Sequence, residues 1–84
     1  MHELSVTKAL TDMILRSAKE NGAARVNFVD VVMGKQCGYE PECIEMYFEM
    51  LSEGTLAEKA VLRFQSTPGR EFYIDRMEIE EPEE

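Results

Sequence analysis

The sequence has one histidine, no tryptophan and two cysteines among its 84 residues. Cys37 and Cys43 are too few for a disulfide framework, and their spacing does not match a zinc-binding pair, so we expect two reduced thiols. Because His2 is the only histidine, no serine or cysteine can have a neighbouring histidine base. No glycine-rich phosphate loop is present either. These absences argue against an enzyme.

Positive charge is scarce as well: 17 acidic residues against 9 basic ones give a net charge of −8. Nucleic-acid binding needs clustered lysine and arginine, so it is not expected. No apolar run approaches the roughly 20 residues that span a bilayer, and no leader pattern is present, so we expect a soluble, cytoplasmic protein without a membrane partner. Five glutamates in the last seven residues predict a solvated acidic tail at 81–84, after a single domain at 1–80.

Two segments have the periodicity of amphipathic helices. The first is predicted to start from a cap at Glu3 or Ser5 and to run to about Glu20, with Thr7 on the solvent side. Its predicted buried stripe is Val6, Leu10, Met13, Ile14 and Ser17. The second begins at Pro41, a favoured first helical residue. Its predicted core stripe is Ile44, Tyr47, Phe48 and Leu51, flanked by Met46 and Met50.

Three segments have the alternation of strands. In residues 25–33 the side chains of Val29, Val31 and Met33 share one face, and those of Phe28, Asp30 and Val32 share the other. The opposite face is less polar than a solvated face, so it could meet a partner. The second strand is predicted at 60–65, with Leu62 and Phe64 facing inward. The third, at 70–80, changes phase in a way that predicts a bulge near residues 75–76.

The turn residues Thr67, Pro68 and Gly69 lie between the last two strands and favour a tight reversal. We therefore predict an α+β fold of the order α-β-α-β-β. Two helices pack on one face of a three-stranded sheet, and the chain ends in an antiparallel C-terminal hairpin with Pro68 and Gly69 at its tip.

The first residues of the chain carry the candidate chemistry. The α-amine of Met1, the backbone nitrogen of His2 and the His2 imidazole can close fused chelate rings around one metal ion. Glu3 can add a fourth donor, either its backbone nitrogen or its carboxylate. A planar nitrogen array suits Cu(II) or Ni(II) better than Zn(II), which prefers a tetrahedral site. The alternative is that His2 is a frayed terminal residue with no role.

Six segments, taken in order, resemble the hydrogenase nickel-incorporation family, HypA and HybF: MHELS (1–5), VDVVMG (29–34), EPE (40–42), EGTLA (53–57), GREFYI (69–74) and MEIE (77–80). The resemblance implies a metallochaperone that carries nickel to the hydrogenase large subunit together with a nickel-handling GTPase. It implies one Ni(II) per chain, held by Met1, His2 and Glu3. A carboxylate ahead of the second helix is also implicated in the family, and Glu40 occupies that place, where helix capping is the alternative role.

The chain departs from the family between its last two strands. The family carries there a zinc domain built on two CxxC pairs, whereas this chain has only Ser66-Thr67-Pro68-Gly69. We therefore expect no zinc. A natural paralogue and an engineered deletion both fit this shortening. The sequence is compatible with either a monomer or a homodimer. The alternative function is a metal-free interaction or regulatory module derived from the family.

Overall fold

The computed structural model describes residues 2–83, so the predictions made for Met1 and Glu84 lie outside the described residues. The elements are α1 (Glu3–Glu20), β1 (Arg25–Gly34), α2 (Pro41–Leu51), β2 (Val61–Thr67) and β3 (Phe72–Glu80). This confirms the α+β class and the order α-β-α-β-β. After β3, residues 81–83 are exposed and have no regular secondary structure.

Helix α1 has the predicted length but a slightly rotated buried face. Met13, predicted to be buried, is 54% exposed, whereas Thr7, predicted to face solvent, is fully buried. Thr7 tolerates burial because its hydroxyl donates to the carbonyl oxygen of Glu3, and Thr11 donates in the same way to Thr7. The buried residues of α1 are Glu3, Thr7, Leu10, Thr11, Ile14 and Ala18.

The core lies between the two helices and one face of the sheet, as predicted. Val29, Val31 and Met33 of β1 are buried in one cluster with residues of both helices and with Leu62 of β2. Helix α2 contributes Ile44 and Phe48 to it. Both helices therefore cover the same face of the sheet, and the other face remains open.

The predicted C-terminal hairpin is wrong. The strand order is β2-β1-β3, so β1 lies between the other two strands. It pairs with β2 in parallel and with β3 in antiparallel orientation. Helix α2 is thus the crossover between two parallel strands, an arrangement that parallel pairing requires. A strand as apolar on both faces as β1 gains more from the central position than from an edge.

The connection at 68–71 therefore crosses the end of β1 instead of forming a hairpin tip. It must span two strand spacings, roughly 10 Å, which is within the reach of the five virtual bonds from Thr67 to Phe72. The backbone nitrogens of Lys35 and Gln36 donate to the carbonyl oxygens of Thr67 and Gly69 at 2.8 and 2.9 Å. A side chain at Gly34 would collide with the backbone of Gly69. Glycine is needed here for this close approach.

The predicted bulge in β3 is confirmed. Arg76 lies opposite Asp30 and Ile74 lies opposite Val31, so Asp75 is the extra residue. The bulge keeps the apolar side chains of β3 directed at the core on both sides of the phase change. Within residues 2–83, no helix is long and apolar enough to cross a membrane.

Candidate metal centre

The predicted metal site lies at the start of α1. The helix begins at Glu3, and His2 is the N-cap residue, with φ −120° and ψ 39°. The predicted caps, Glu3 and Ser5, are therefore inside the helix, because the chain enters its first turn two residues from the terminus. The carbonyl oxygen of His2 accepts the first helical hydrogen bond, from the nitrogen of Val6 at 3.0 Å. The His2 side chain is exposed and makes no capping hydrogen bond.

Glu3 is held more firmly than its terminal position suggests. Glu3 is only 9% exposed, and its carbonyl oxygen accepts a hydrogen bond from the hydroxyl of Thr7 at 2.5 Å. A carboxylate in the first turn is favoured by the positive end of the helix. The first four backbone N–H groups of a helix have no acceptor within it. The nitrogen of Glu3 is therefore fixed in place by a packed helix and free of an intrahelical bond.

Glu40 occupies the equivalent place at the start of α2. It is the N-cap residue, in extended conformation, and Pro41 is the first helical residue. Its carbonyl oxygen accepts hydrogen bonds from the nitrogens of Cys43 and Ile44 at 3.0 and 3.1 Å. The carboxylate itself makes no capping hydrogen bond. Glu40 therefore does cap α2, as its alternative role requires, but through its backbone carbonyl and not through its carboxylate.

The structure does not bring these side chains together. Among residues 2–83, no group of three or more histidine, cysteine, aspartate or glutamate side chains could hold a metal ion. His2 and Glu3 are neighbours, and Glu40 does not join them in such a group. Cys37 and Cys43 are both free and half-buried. The predicted donors at the chain start are mainly backbone nitrogens and the Met1 amine, so the ligand set stays a prediction.

A charged cluster on the open face of the sheet was missed by sequence reasoning. Arg63 donates to both carboxylate oxygens of Asp30, at 2.6 and 3.0 Å, and Arg76 donates to one of them at 3.0 Å. The guanidinium of Arg63 also lies 3.7 Å above the ring centre of Phe28. The hydrogen bond from Arg63 is the main cause that lowers the pKa of Asp30 to about 2. Asp30 lies opposite Arg63 and Arg76 only in the register of the three strands. That register could not be predicted without the strand order.

The comparisons with known proteins agree on one family. The family model described as "Hydrogenase/urease nickel incorporation, metallochaperone, hypA" matches residues 1–72. A hydrogenase maturation factor HypA from Caldanaerobacter subterraneus is 45% identical over 65 residues, which are 77% of this chain and 57% of that protein. A protein of the same name from Dehalococcoides mccartyi is 39% identical over 70 residues, covering 83% of this chain and 59% of that protein. The chain thus spans less than two thirds of these relatives.

Solved structures share the fold. The solution structure of the Ni metallochaperone HypA from Helicobacter pylori superposes with a TM-score of 0.85 at 20% identity, covering 98% of this chain and all of that one. A second structure, titled "Solution structure of HypA protein", gives a TM-score of 0.78 over 94% of this chain and 96% of that one. At this identity the likeness establishes the arrangement of helices and strands. The family match over residues 1–72 goes further: the chain belongs to the HypA family of hydrogenase and urease nickel-incorporation proteins.

Proposed function

We propose that this chain binds one Ni(II) at the start of α1 and carries it as cargo for the maturation of nickel enzymes. The ligands are the Met1 amine, the backbone nitrogen and imidazole of His2, and the backbone nitrogen of Glu3. One observation carries the proposal. The only imidazole of the chain stands at the N-cap of α1, exposed and not used as a cap, beside backbone nitrogens without intrahelical acceptors.

The helix start is chemically suited to this ligand set. A backbone nitrogen binds Ni(II) only after it loses its proton, and it then carries negative charge. The positive end of the α1 dipole stabilises such charge, as it does for anions at other helix N-termini. Because Thr7 and the buried part of Glu3 hold the first turn in place, the backbone nitrogen of Glu3 is positioned before the metal arrives.

Of the two donors that Glu3 offers, the backbone nitrogen is the better candidate. Glu3 is only 9% exposed, so turning its carboxylate toward a metal at the exposed His2 would disrupt the packing of its side chain. The nitrogen needs no such movement because it directly follows His2 in the chain. Glu40 is assigned a minor role at most, since it lies outside any cluster of metal-binding side chains in residues 2–83.

We propose the cytoplasm as the location, and a nickel-handling GTPase and the hydrogenase large subunit as partners. The family's role in nickel incorporation for hydrogenase or urease supports maturation factors as the kind of partner. Zinc has no place in this proposal. The four-thiolate site of the family needs more cysteines than the two of this sequence.

The zinc prediction is tested by elemental analysis. The purified chain is expected to contain no stoichiometric zinc and to keep its helical circular dichroism in a strong chelator, because no structural metal supports the core. One tightly held zinc per chain, or unfolding in the chelator, would contradict it.

A calorimetric nickel titration of protein with its native N-terminus tests the function itself. The expected result is one equivalent of Ni(II) per chain, with release of protons as the backbone nitrogens bind. The competing function, a metal-free interaction module, predicts no saturable heat at one equivalent. Absence of stoichiometric binding at neutral pH would therefore overturn the metallochaperone proposal in favour of the module.

A further inference from the structure

A groove lies between α2 and the start of β2, far along the sequence from the proposed metal site. It is an open groove of about 680 Å³, named here the α2–β2 groove. Phe48 and Leu62 form its buried floor. Met46, Met50 and Val61 line it as an exposed apolar strip. The groove thus has a mixed apolar and polar lining next to an edge strand.

More than half of each residue in the apolar strip is exposed to solvent. Met46, Met50 and Val61 are 53%, 63% and 56% exposed. Singly exposed apolar side chains are ordinary on a protein surface, so the strip is informative only together with the charge on the rim of the groove. Methionine is flexible and polarisable, so it adapts to varied apolar partners. The strip therefore offers contact area without a rigid shape.

The rim of the groove carries one sign of charge almost throughout. Glu42, Glu45, Glu49 and Glu58 line it, against a single cation, Lys59. The sequence has no lysine or arginine from residue 36 to residue 58, so α2 has no positive charge of its own. Within the part of the chain that the structure describes, the ion pairs involve other carboxylates. The carboxylates of the groove are thus available to an external cation.

We propose that the α2–β2 groove docks a lysine- or arginine-rich segment of a partner protein, one that also carries apolar side chains. The basic groups would pair with the glutamate rim, and the apolar ones would cover Met46, Met50 and Val61. Charge complementarity of this kind accelerates encounter and excludes wrong partners. The groove thereby selects a basic amphipathic segment.

Other occupants are disfavoured by the same charge. A symmetric dimer through this groove would place the same glutamate row of two copies face to face, which costs free energy. Anionic lipid surfaces and nucleic acids would be repelled as well. The inference does not depend on nickel, because none of the groove residues belongs to the proposed metal site.

A synthetic peptide tests the proposal directly. The probe repeats lysine and leucine at helical spacing and carries one tryptophan, whose fluorescence is specific because the protein has no tryptophan. Two control peptides replace every lysine by glutamate or every leucine by serine. We expect saturable binding of the basic amphipathic peptide alone, weakening with added salt as screening predicts. Amide chemical shifts are expected to move along α2 and at residues 58–62.

Variants at exposed positions separate the two parts of the groove. The double substitution E45K/E49K should weaken peptide binding about fivefold to tenfold, since each change removes an exposed attraction and adds a repulsion. The double substitution M46S/M50S should weaken it about tenfold through lost apolar burial. The matched control is Met13→Ser, because Met13 is exposed to the same extent on α1. It should leave peptide binding unchanged.

The proposal fails in several distinct ways. Equal binding of the glutamate peptide, equal binding by E45K/E49K, or shifts confined to another surface would each overturn it. Sedimentation that showed wild-type dimers dissociating in E45K/E49K would assign the groove to a second copy instead. Every measurement is repeated on His2→Ala. Peptide binding retained in that variant keeps this inference separate from the outcome of the nickel titration.

Discussion

The two helices begin in similar ways, yet we propose nickel binding at only one of the two starts. His2 and Glu40 are the N-cap residues of α1 and α2, and neither side chain makes a capping hydrogen bond. Each first turn contains a glutamate, Glu3 in α1 and Glu42 in α2. Both starts also present the positive end of a helix dipole. By first-turn charge and helix dipole alone, the two helix starts would be difficult to distinguish.

The difference lies in the supply of nitrogen donors. Helix α2 is entered through Pro41, whose nitrogen has no proton to lose and cannot serve as an anionic ligand. Helix α1 directly follows the first two residues of the sequence, with an imidazole at its N-cap. Ni(II) and Cu(II) prefer planar nitrogen sets, whereas carboxylates suit harder cations. A carboxylate at a helix start is therefore not sufficient to bind nickel.

Among the substitutions at the two helix starts, removal of the His2 imidazole should have the largest effect on nickel affinity. His2→Ala is expected to weaken nickel binding by at least about a hundredfold, roughly 2.8 kcal/mol, because one donor and one chelate ring are lost. No other histidine can replace it. Calorimetry of the variant and the wild type measures the change. Unaltered affinity in His2→Ala would locate the nickel site elsewhere.

Acid should release the metal well before it weakens the fold. Nickel binding must displace protons from its nitrogen ligands, so nickel affinity should fall as the pH drops below neutrality. The pKa of Asp30 is lowered from 3.8 to about 2 by the hydrogen bond from Arg63. Its folded pKa is below its unfolded one, so its stabilisation is complete above the unfolded value and is lost only as pH falls through about 2.

Parallel nickel titrations and circular dichroism across this pH range check the prediction. Asp30→Asn is the control: it should lower the melting temperature while leaving the pH dependence of nickel binding unchanged. Simultaneous loss of nickel and of helical signal as the pH is lowered would instead make unfolding the release mechanism.

A smaller effect is expected at Glu3. Glu3→Gln should change nickel affinity by less than about threefold, because the backbone nitrogen remains and only the charge near the helix start is lost. The conservative amide keeps the size of this largely buried side chain. A loss of tenfold or more in a competition titration would make the carboxylate the fourth donor.

Substitution at the start of α2 should have the smallest effect on nickel affinity. Glu40→Ala should change nickel affinity by less than about twofold, since an exposed carboxylate outside the site acts only through screened charge. Glu42→Ala, an exposed first-turn glutamate of the same helix, is the matched control and should behave identically. A selective loss in Glu40→Ala would bring this side chain into the metal site.

Much of the fold was predictable because it depends on local pattern. The helix lengths, the core face of β1 and the bulge at Asp75 follow from apolar periodicity. The strand order did not follow, because Pro68 and Gly69 signal a reversal without determining which strand the returning chain pairs with. The apolar residues Phe28 and Val32 on the second face of β1 were the sequence signal for a central strand, and Val32 is indeed buried.

The candidate site was predictable only as a set of residues close in sequence. His2 and Glu3 are neighbours in the chain, so their proximity needed no tertiary structure. The packing of Thr7 beneath the first turn depends on the rotation of α1, which a small shift of the apolar stripe changes. The α2–β2 groove joins residues from two elements, and no local pattern could have revealed it.

The state of the N-terminal amine tests the central claim most directly. Protein with a native N-terminus is compared with protein whose amine is acetylated, and with a form extended by several residues. A one-residue extension is unsuitable, because it would make the histidine the third residue, where a terminal amine and two amides can again surround the metal. The native form should bind one diamagnetic, square-planar Ni(II), visible in its absorption spectrum, and both blocked forms should bind none with this signature. An identical nickel spectrum and affinity in the acetylated protein would contradict the account.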